Sequence, residues 1–263
     1  MVGLAVMTCL LVIALFAPQL APYDYRELKL DYRLKPPTSD HLLGTDEFGR
    51  DVLSRIIMGT RVSVYVGFTA TILTVGIGTT VGIAAGTLGG KVDSVLMRIT
   101  DIFMAIPSLF LMIVVVALFG PSLTNTLLVI GFVNWTGIAR MARAGTLSVR
   151  SLGYVEAAQA IGCRPNRVML KHVFPNIAAS IIVQGSLFLG RAILYEASLS
   201  YLQLGAQPPT PSWGNMIADA QKYLSVNWWQ PTYPGLAILI TVLALNLLGD
   251  GVRDALDPKL VNV

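Results

Sequence analysis

Six long apolar runs, parted by polar stretches, set the pattern of this chain. They cover about residues 1–17, 62–87, 99–119, 122–139, 177–203 and 234–250. A membrane-crossing helix needs roughly 20 mostly apolar residues. The pattern therefore predicts an all-α, polytopic membrane protein with about six transmembrane helices. The first run (MVGLAVMTCLLVIALFA) has no basic lead-in and is followed by five others, so it reads as an anchor rather than a signal peptide. It starts at Met1, which leaves open whether the N-terminus is complete.

The polar stretches divide the chain into three parts. Residues 1–61 hold the first helix and an extracytoplasmic segment, 62–250 the membrane core, and 251–263 a cytoplasmic tail. In the first part, the prolines of APQLAPYD end the first helix. Residues 34–51 (LKPPTSDHLLGTDEFGRD) are rich in turn formers. Residues 51–58 (DVLSRIIM) then predict a short amphipathic helix in the membrane interface, with Val52, Leu53, Ile56 and Ile57 on one face. Individual charges in this segment read as solvated.

Composition agrees with the pattern. The chain is 54% hydrophobic and 13% charged, about half the charge of a soluble domain. The net charge of +4 fits Lys and Arg held on the cytoplasmic side rather than nucleic-acid binding. Six spans put both termini on one side. Segment 140–172 has six basic residues against Glu156, while 204–233 has only Lys222. Lys91, Arg98, Arg253 and Lys259 join the basic side, so both termini are expected in the cytoplasm. Segment 18–61 is the exception, with seven basic and seven acidic residues. Two cysteines, Cys9 and Cys163, and two histidines, His41 and His172, predict neither a disulfide framework nor a metal site.

Within the apolar runs, Gly78, Gly82 and Gly86 recur every fourth residue and predict a close helix contact. Pro107 should kink the third span or begin a new helix. Arg191 and Glu196 are charges inside the fifth run, and such charges usually face a bundle interior or a water-filled cavity. Five residues apart, they do not share a helix face, so each is a separate candidate for the transport path or a gate. No catalytic constellation appears. The nearest approach to a phosphate-binding loop, GTLGGKV at 86–92, has the wrong spacing and Val92 in place of Ser or Thr. The chain is expected to be no enzyme and to bind no cofactor of its own.

The basic insert has more order than a connector needs. RSLGYVEAAQAIG (150–162) favours a helix, Gly162 suits its end, and Pro165 suits the first turn of a second helix over about 165–172. A helix, a tight turn and a helix on the cytoplasmic side fit a docking element.

Here the sequence resembles the EAA loop of ATP-binding-cassette (ABC) importer permeases: Glu156-Ala157-Ala158, three residues, Gly162, and a segment ending at Pro175. His172 departs from the family's first position in that last segment. LGTDEFGRDVLSR (43–55), GGKVDSVLMRITDIFMAIPS (89–108), EASLSYLQLGAQPPTPSWGNMI (196–217) and NLLGDGVRDALDPKL (246–260) extend the resemblance to the dipeptide, oligopeptide and nickel importer permeases, "C"-type subunit. Gln203 departs at an outer turn. The resemblance implies a bacterial or archaeal cytoplasmic membrane. It implies a heterodimer with a sister permease, two ATPase subunits that bind ATP and Mg, and a substrate-binding protein outside. It assigns Glu156, Ala157, Ala158, Gly162, Arg164 and Arg167 to ATPase coupling. Residues 204–233 would face the binding protein, with Trp213, Trp228 and Trp229 as outer-loop contacts or interface anchors. The rival readings are the same machine carrying nickel or a metal chelate, and a stand-alone secondary transporter, which would need coupling-ion sites at mid-membrane.

Overall fold

The computed structural model describes residues 2–256. These are mostly helical and form no strand; a single antiparallel bridge pairs Thr45 with Asp51 in the largely irregular segment 21–51. In chain order the helices are α1 (Val2–Leu15), α2 (Ala17–Leu20), α3 (Val52–Leu88), α4 (Gly90–Met104), α5 (Ser108–Phe119), α6 (Leu123–Val133) and α7 (Trp135–Arg150). Then come α8 (Gly153–Ala160), α9 (Pro165–Val168), α10 (Phe174–Tyr201), α11 (Trp213–Ala220) and α12 (Trp229–Leu256).

Three helical stretches are long and apolar enough to cross a membrane: Val52–Leu88, Pro165–Tyr201 and Trp229–Leu256. A fourth arises if α4 and α5, bent by 86°, count as one broken span. The six apolar runs are thus all helical, but they do not make six unbroken spans. The first forms the 14-residue α1, and the fourth is divided at Asn134 between α6 and α7.

The interfacial helix expected over 51–58 is not a separate element. Asp51 caps α3 by accepting the Ser54 N–H at 2.8 Å, and no proline interrupts the next 37 residues. The boundary placed at 61 falls inside this helix. The boundary at 250 likewise falls inside α12; the rest of the expected tail, with Lys259, lies outside the described residues. Pro107 starts α5 rather than kinking a continuous helix.

The second helix of the insert merges into the fifth span. Residues Met169–Val173 form a π-helical turn joining α9 to α10, so helix runs from Pro165 to Tyr201. Pro175 cannot donate to the carbonyl four residues back and crowds it. A wider turn just before it relieves that clash.

Helix α3 is the central post, packed by α1, α6, α7 and α10. Its glycine stripe lies against α7 as the spacing predicts. A Cβ at Gly82 would sit 2.3 Å from Ala139 O, and one at Gly78 would sit 2.6 Å from Trp135 O. Three apolar clusters fill the interior. One joins Val66 and Ala70 to Met112, Val116, Ile130 and Phe188. A second, toward the basic insert, holds Ile83, Val149, Val155, Val168, Val173 and Ile177. The third, toward the opposite end, includes Met7, Ile193, Trp213 and Leu245. Outside, large apolar side chains such as Ile72, Leu118 and Phe119 stand bare, as expected of surface meant for lipid or other helices.

Candidate coupling loop and membrane cavity

The insert folds into the predicted helix–turn–helix. Helix α8 ends at Ala160, and Gly162 turns the chain with φ +83°. Pro165 then opens α9. The loop is anchored from below: Val155, Val168 and Val173 are buried in the second apolar cluster. Asn176 Nδ2 donates to the Tyr154 hydroxyl at 3.0 Å across the base. Its upper side is bare. Glu156, Ala157, Gly162, Arg164 and Arg167 are exposed and Ala158 is half-buried. Among the described residues neither arginine makes an ion pair. A Cβ on Gly162 would meet nothing within 4 Å. The structure therefore brings the predicted coupling residues together on one unpartnered surface.

Arginines upstream of the loop behave differently. Arg143 grips Asp93 with two bonds, of 2.5 and 2.7 Å, and Arg140 meets Asp101 at 2.5 Å. These pairs fasten α7 to α4. Charge counting treated both arginines only as markers of the cytoplasmic side.

Arg191 and Glu196 separate as their spacing requires. Glu196 is wholly buried, and its carboxylate accepts the Ser63 hydroxyl at 3.1 Å and the Ser200 hydroxyl at 2.7 Å. It ties α10 to α3 and faces the bundle interior rather than the cavity that Arg191 lines. Arg191 is exposed on the other face, its guanidinium 5.9 Å from the centre of the Phe188 ring. It lines a cavity of about 400 Å³. Pro107 and Ser108, at the α4–α5 break, and Asn134, at the α6–α7 junction, line the same space with Gln184. Sequence reasoning missed Ser108, Asn134 and Gln184. The available signal was the spacing of Gln184, Phe188 and Arg191 at i, i+4 and i+7, which puts all three on one helix face.

At the other end of the bundle, charges from 18–61 are turned inward. Asp46 accepts Arg50 Nε at 2.7 Å and also bonds Arg55 Nη1. Arg55 Nη2 lies 3.6 Å from Asp219 on α11. Burial holds the Asp219 carboxyl above the usual aspartate range, while Arg55 and Arg50 pull it down. His41 Nδ1 lies 2.9 Å from Asp51, and Gln230 on α12 donates to Thr45 O at 2.7 Å. His41, Asp46, Arg50, Asp51 and Arg55 are all buried. The expectation of solvated charges is corrected for these residues, because they satisfy one another.

The three outer tryptophans also part company. Trp213 is completely buried, and its indole N–H donates to Ile56 O at 3.2 Å. It offers no surface to a partner or to lipid, because Gly59 opens a slot that receives its ring. Trp228 is 60% exposed and Trp229 half-buried, their rings edge to face at 6.2 Å.

A helical bundle with long apolar helices, a broken span bordering a cavity and an exposed helix–turn–helix at one end fits the class of multi-pass membrane proteins. Comparison with known proteins sharpens that class. Residues 78–262 match the family described as binding-protein-dependent transport system inner membrane component, and residues 1–37 match the N-terminal TM domain of oligopeptide transport permease C. The chain belongs to the former family and is a permease subunit of an ABC importer. It is 47% identical over 265 residues to the dipeptide transport system permease protein DppC of Escherichia coli (strain K12), covering 98% of this chain and 88% of that one. It is 43% identical over 259 residues to the DppC of Alkalihalophilus pseudofirmus, covering 98% and 85%. The MetNI methionine ABC transporter, solved in inward facing conformations, shares the fold, with a TM-score of 0.63 at 19% identity over 77% of this chain and 96% of that one.

Proposed function

We propose that this chain forms half of the translocation path of a peptide importer in a bacterial or archaeal cytoplasmic membrane, paired with a sister permease. A substrate-binding protein delivers di- or oligopeptides from outside. Two ATPase subunits, which bind the ATP and Mg, drive the cycle through the helix–turn–helix at 153–168, with both termini on their side. The observation that carries this reading is the bare surface of that loop: Glu156, Arg164 and Arg167 are exposed and make no ion pair among the described residues, above a base of buried valines. Small Ala157, Ala158 and Gly162 permit close approach, and the arginines offer charge-assisted bonds to acids on an ATPase. The peptide cargo is supported by the relatives, whose names specify dipeptide transport.

The test is peptide uptake in proteoliposomes holding the whole complex. Wild type should take up peptide only with ATP, ATPases and loaded binding protein. Gly162→Trp should lose uptake and stimulated ATP hydrolysis while the permease pair stays assembled. Gly162→Ala, which carries the same left-handed strain of about 1–2 kcal/mol without bulk, should keep most of both. Uptake that persists in the Trp variant, or that runs without ATPases, refutes the coupling role.

A further inference from the structure

We infer that Arg191 receives the free carboxylate terminus of the cargo at mid-membrane, on a basic trail that continues inward to Arg253. This rests on the peptide-import reading above and names the chemical group its path selects.

Arg191 stands ten residues before the end of α10 at Tyr201, about 15 Å along the helix, well inside a stretch long and apolar enough to cross a membrane. A charge at that depth is costly and needs a partner or a water-filled cavity. Among the described residues Arg191 has no ion pair. Glu196 is buried on the other face with Ser63 and Ser200, and Asp101 is held by Arg140. The cation is therefore left facing the cavity.

The cavity is built for a polar occupant. Non-helical backbone within a membrane is tolerated where it is enclosed by protein or lines a wet space. Both breaks, at Pro107 and at Asn134, border this one cavity. The stripe Gln184–Phe188–Arg191 supplies an amide, an aromatic ring beside the guanidinium and the charge. A second cavity of about 430 Å³ shares Met141 and Gln184 with the first and reaches Arg253 on α12. Among the described residues no acidic side chain lines either. Two arginines along one route suit an anion, and a planar guanidinium suits a carboxylate bidentately. The anionic group every unmodified peptide carries is its C-terminus.

The experiment uses the complete reconstituted complex. A dipeptide and its C-terminal amide are supplied at concentrations that occupy the binding protein equally. Wild type should move the free acid about ten-fold or more faster than the amide, the scale of one lost charge-assisted hydrogen bond. Arg191→Gln should bring the acid down to the rate of the amide, with assembly and binding-protein-stimulated ATP hydrolysis retained. Arg191→Lys should restore part of the preference. Equal wild-type rates for acid and amide overturn the inference, as does an unaltered preference in Arg191→Gln. Dissociation of the permease pair in both variants also overturns it, since Arg191 would then be a partner's counter-ion. If wild type shows no ATP-driven peptide uptake at all, the import reading itself fails, a result the variants cannot mimic.

Discussion

Segment 18–61 and the insert at 150–176, proposed to face the outside and the cytoplasm, are two charged regions of an oily chain, and they treat their charges in opposite ways. In the first, Asp46, Arg50, Arg55, His41 and Asp51 are buried and bonded to one another. In the second, Glu156, Arg164 and Arg167 lie on an exposed surface and make no ion pair among the described residues. Desolvated charges need internal counter-charges, whereas a docking surface must leave its charges free for another molecule. The lesson is that charge content alone does not locate a partner's site. What locates it is charge left unsatisfied by the fold.

The comparison predicts the largest effect at Asp46. Its removal strands Arg50 and Arg55 in a buried site, which costs about 3–5 kcal/mol. Asp46→Ala should sharply lower the thermal unfolding midpoint of the purified permease pair in detergent. An unchanged midpoint would mean that the outer charges are not a structural clasp, and the contrast would collapse.

Trp213 and Trp228 sharpen the contrast within one loop. Trp213→Ala empties a fully enclosed slot and should cost about 3–5 kcal/mol. Trp228→Ala, at an exposed position, should shift stability by at most about 0.5 kcal/mol. Any larger effect of Trp228→Ala should appear in binding-protein docking, read as a weaker stimulation of ATP hydrolysis. Comparable unfolding midpoints for the two variants would contradict the burial difference. A smaller loss is expected from Ser212→Ala, which removes the capping box joining Ser212 and Asn215 at the start of α11. It should cost about 1 kcal/mol, read on the same unfolding curve.

Much of this was legible before any coordinates. Apolar runs gave the helices, the Gly78–Gly82–Gly86 period gave the contact with α7, and Gly162 with Pro165 gave the turn of the insert. The illegible parts depend on distance in space. Asp46 and Asp219 are 173 positions apart (219 − 46), yet both reach Arg55. No local pattern reports that. Three tryptophans in one loop look alike by composition, and only Gly59 on a distant helix makes a slot for one of them. The 51–58 amphipathicity was real, but a short interfacial helix and the first turns of a long one carry the same pattern. Arg191 was visible as a charge in oil, whereas the cavity it faces needed the two helix breaks to be seen together.

The smallest stability effect is the most informative test of the insert. Arg164 and Arg167 are exposed and make no ion pair among the described residues, so Arg164→Gln with Arg167→Gln should alter stability by no more than about 0.5 kcal/mol. The same double variant should weaken ATPase attachment and depress substrate-stimulated hydrolysis, because charge-assisted bonds to a partner are worth more than solvated surface charge. Raising the salt concentration should imitate the variant in the wild-type complex, since exposed charges are screened over about 10 Å at 0.1 M. The Asp46–Arg55 clasp, being buried, should respond far less to salt. If the double variant instead unfolds the permease, its charges belong to the fold and the insert is no different in kind from the outer segment. If it leaves both folding and hydrolysis intact, docking rests on the shape of Ala157, Ala158 and Gly162, and the arginines mark only the cytoplasmic side.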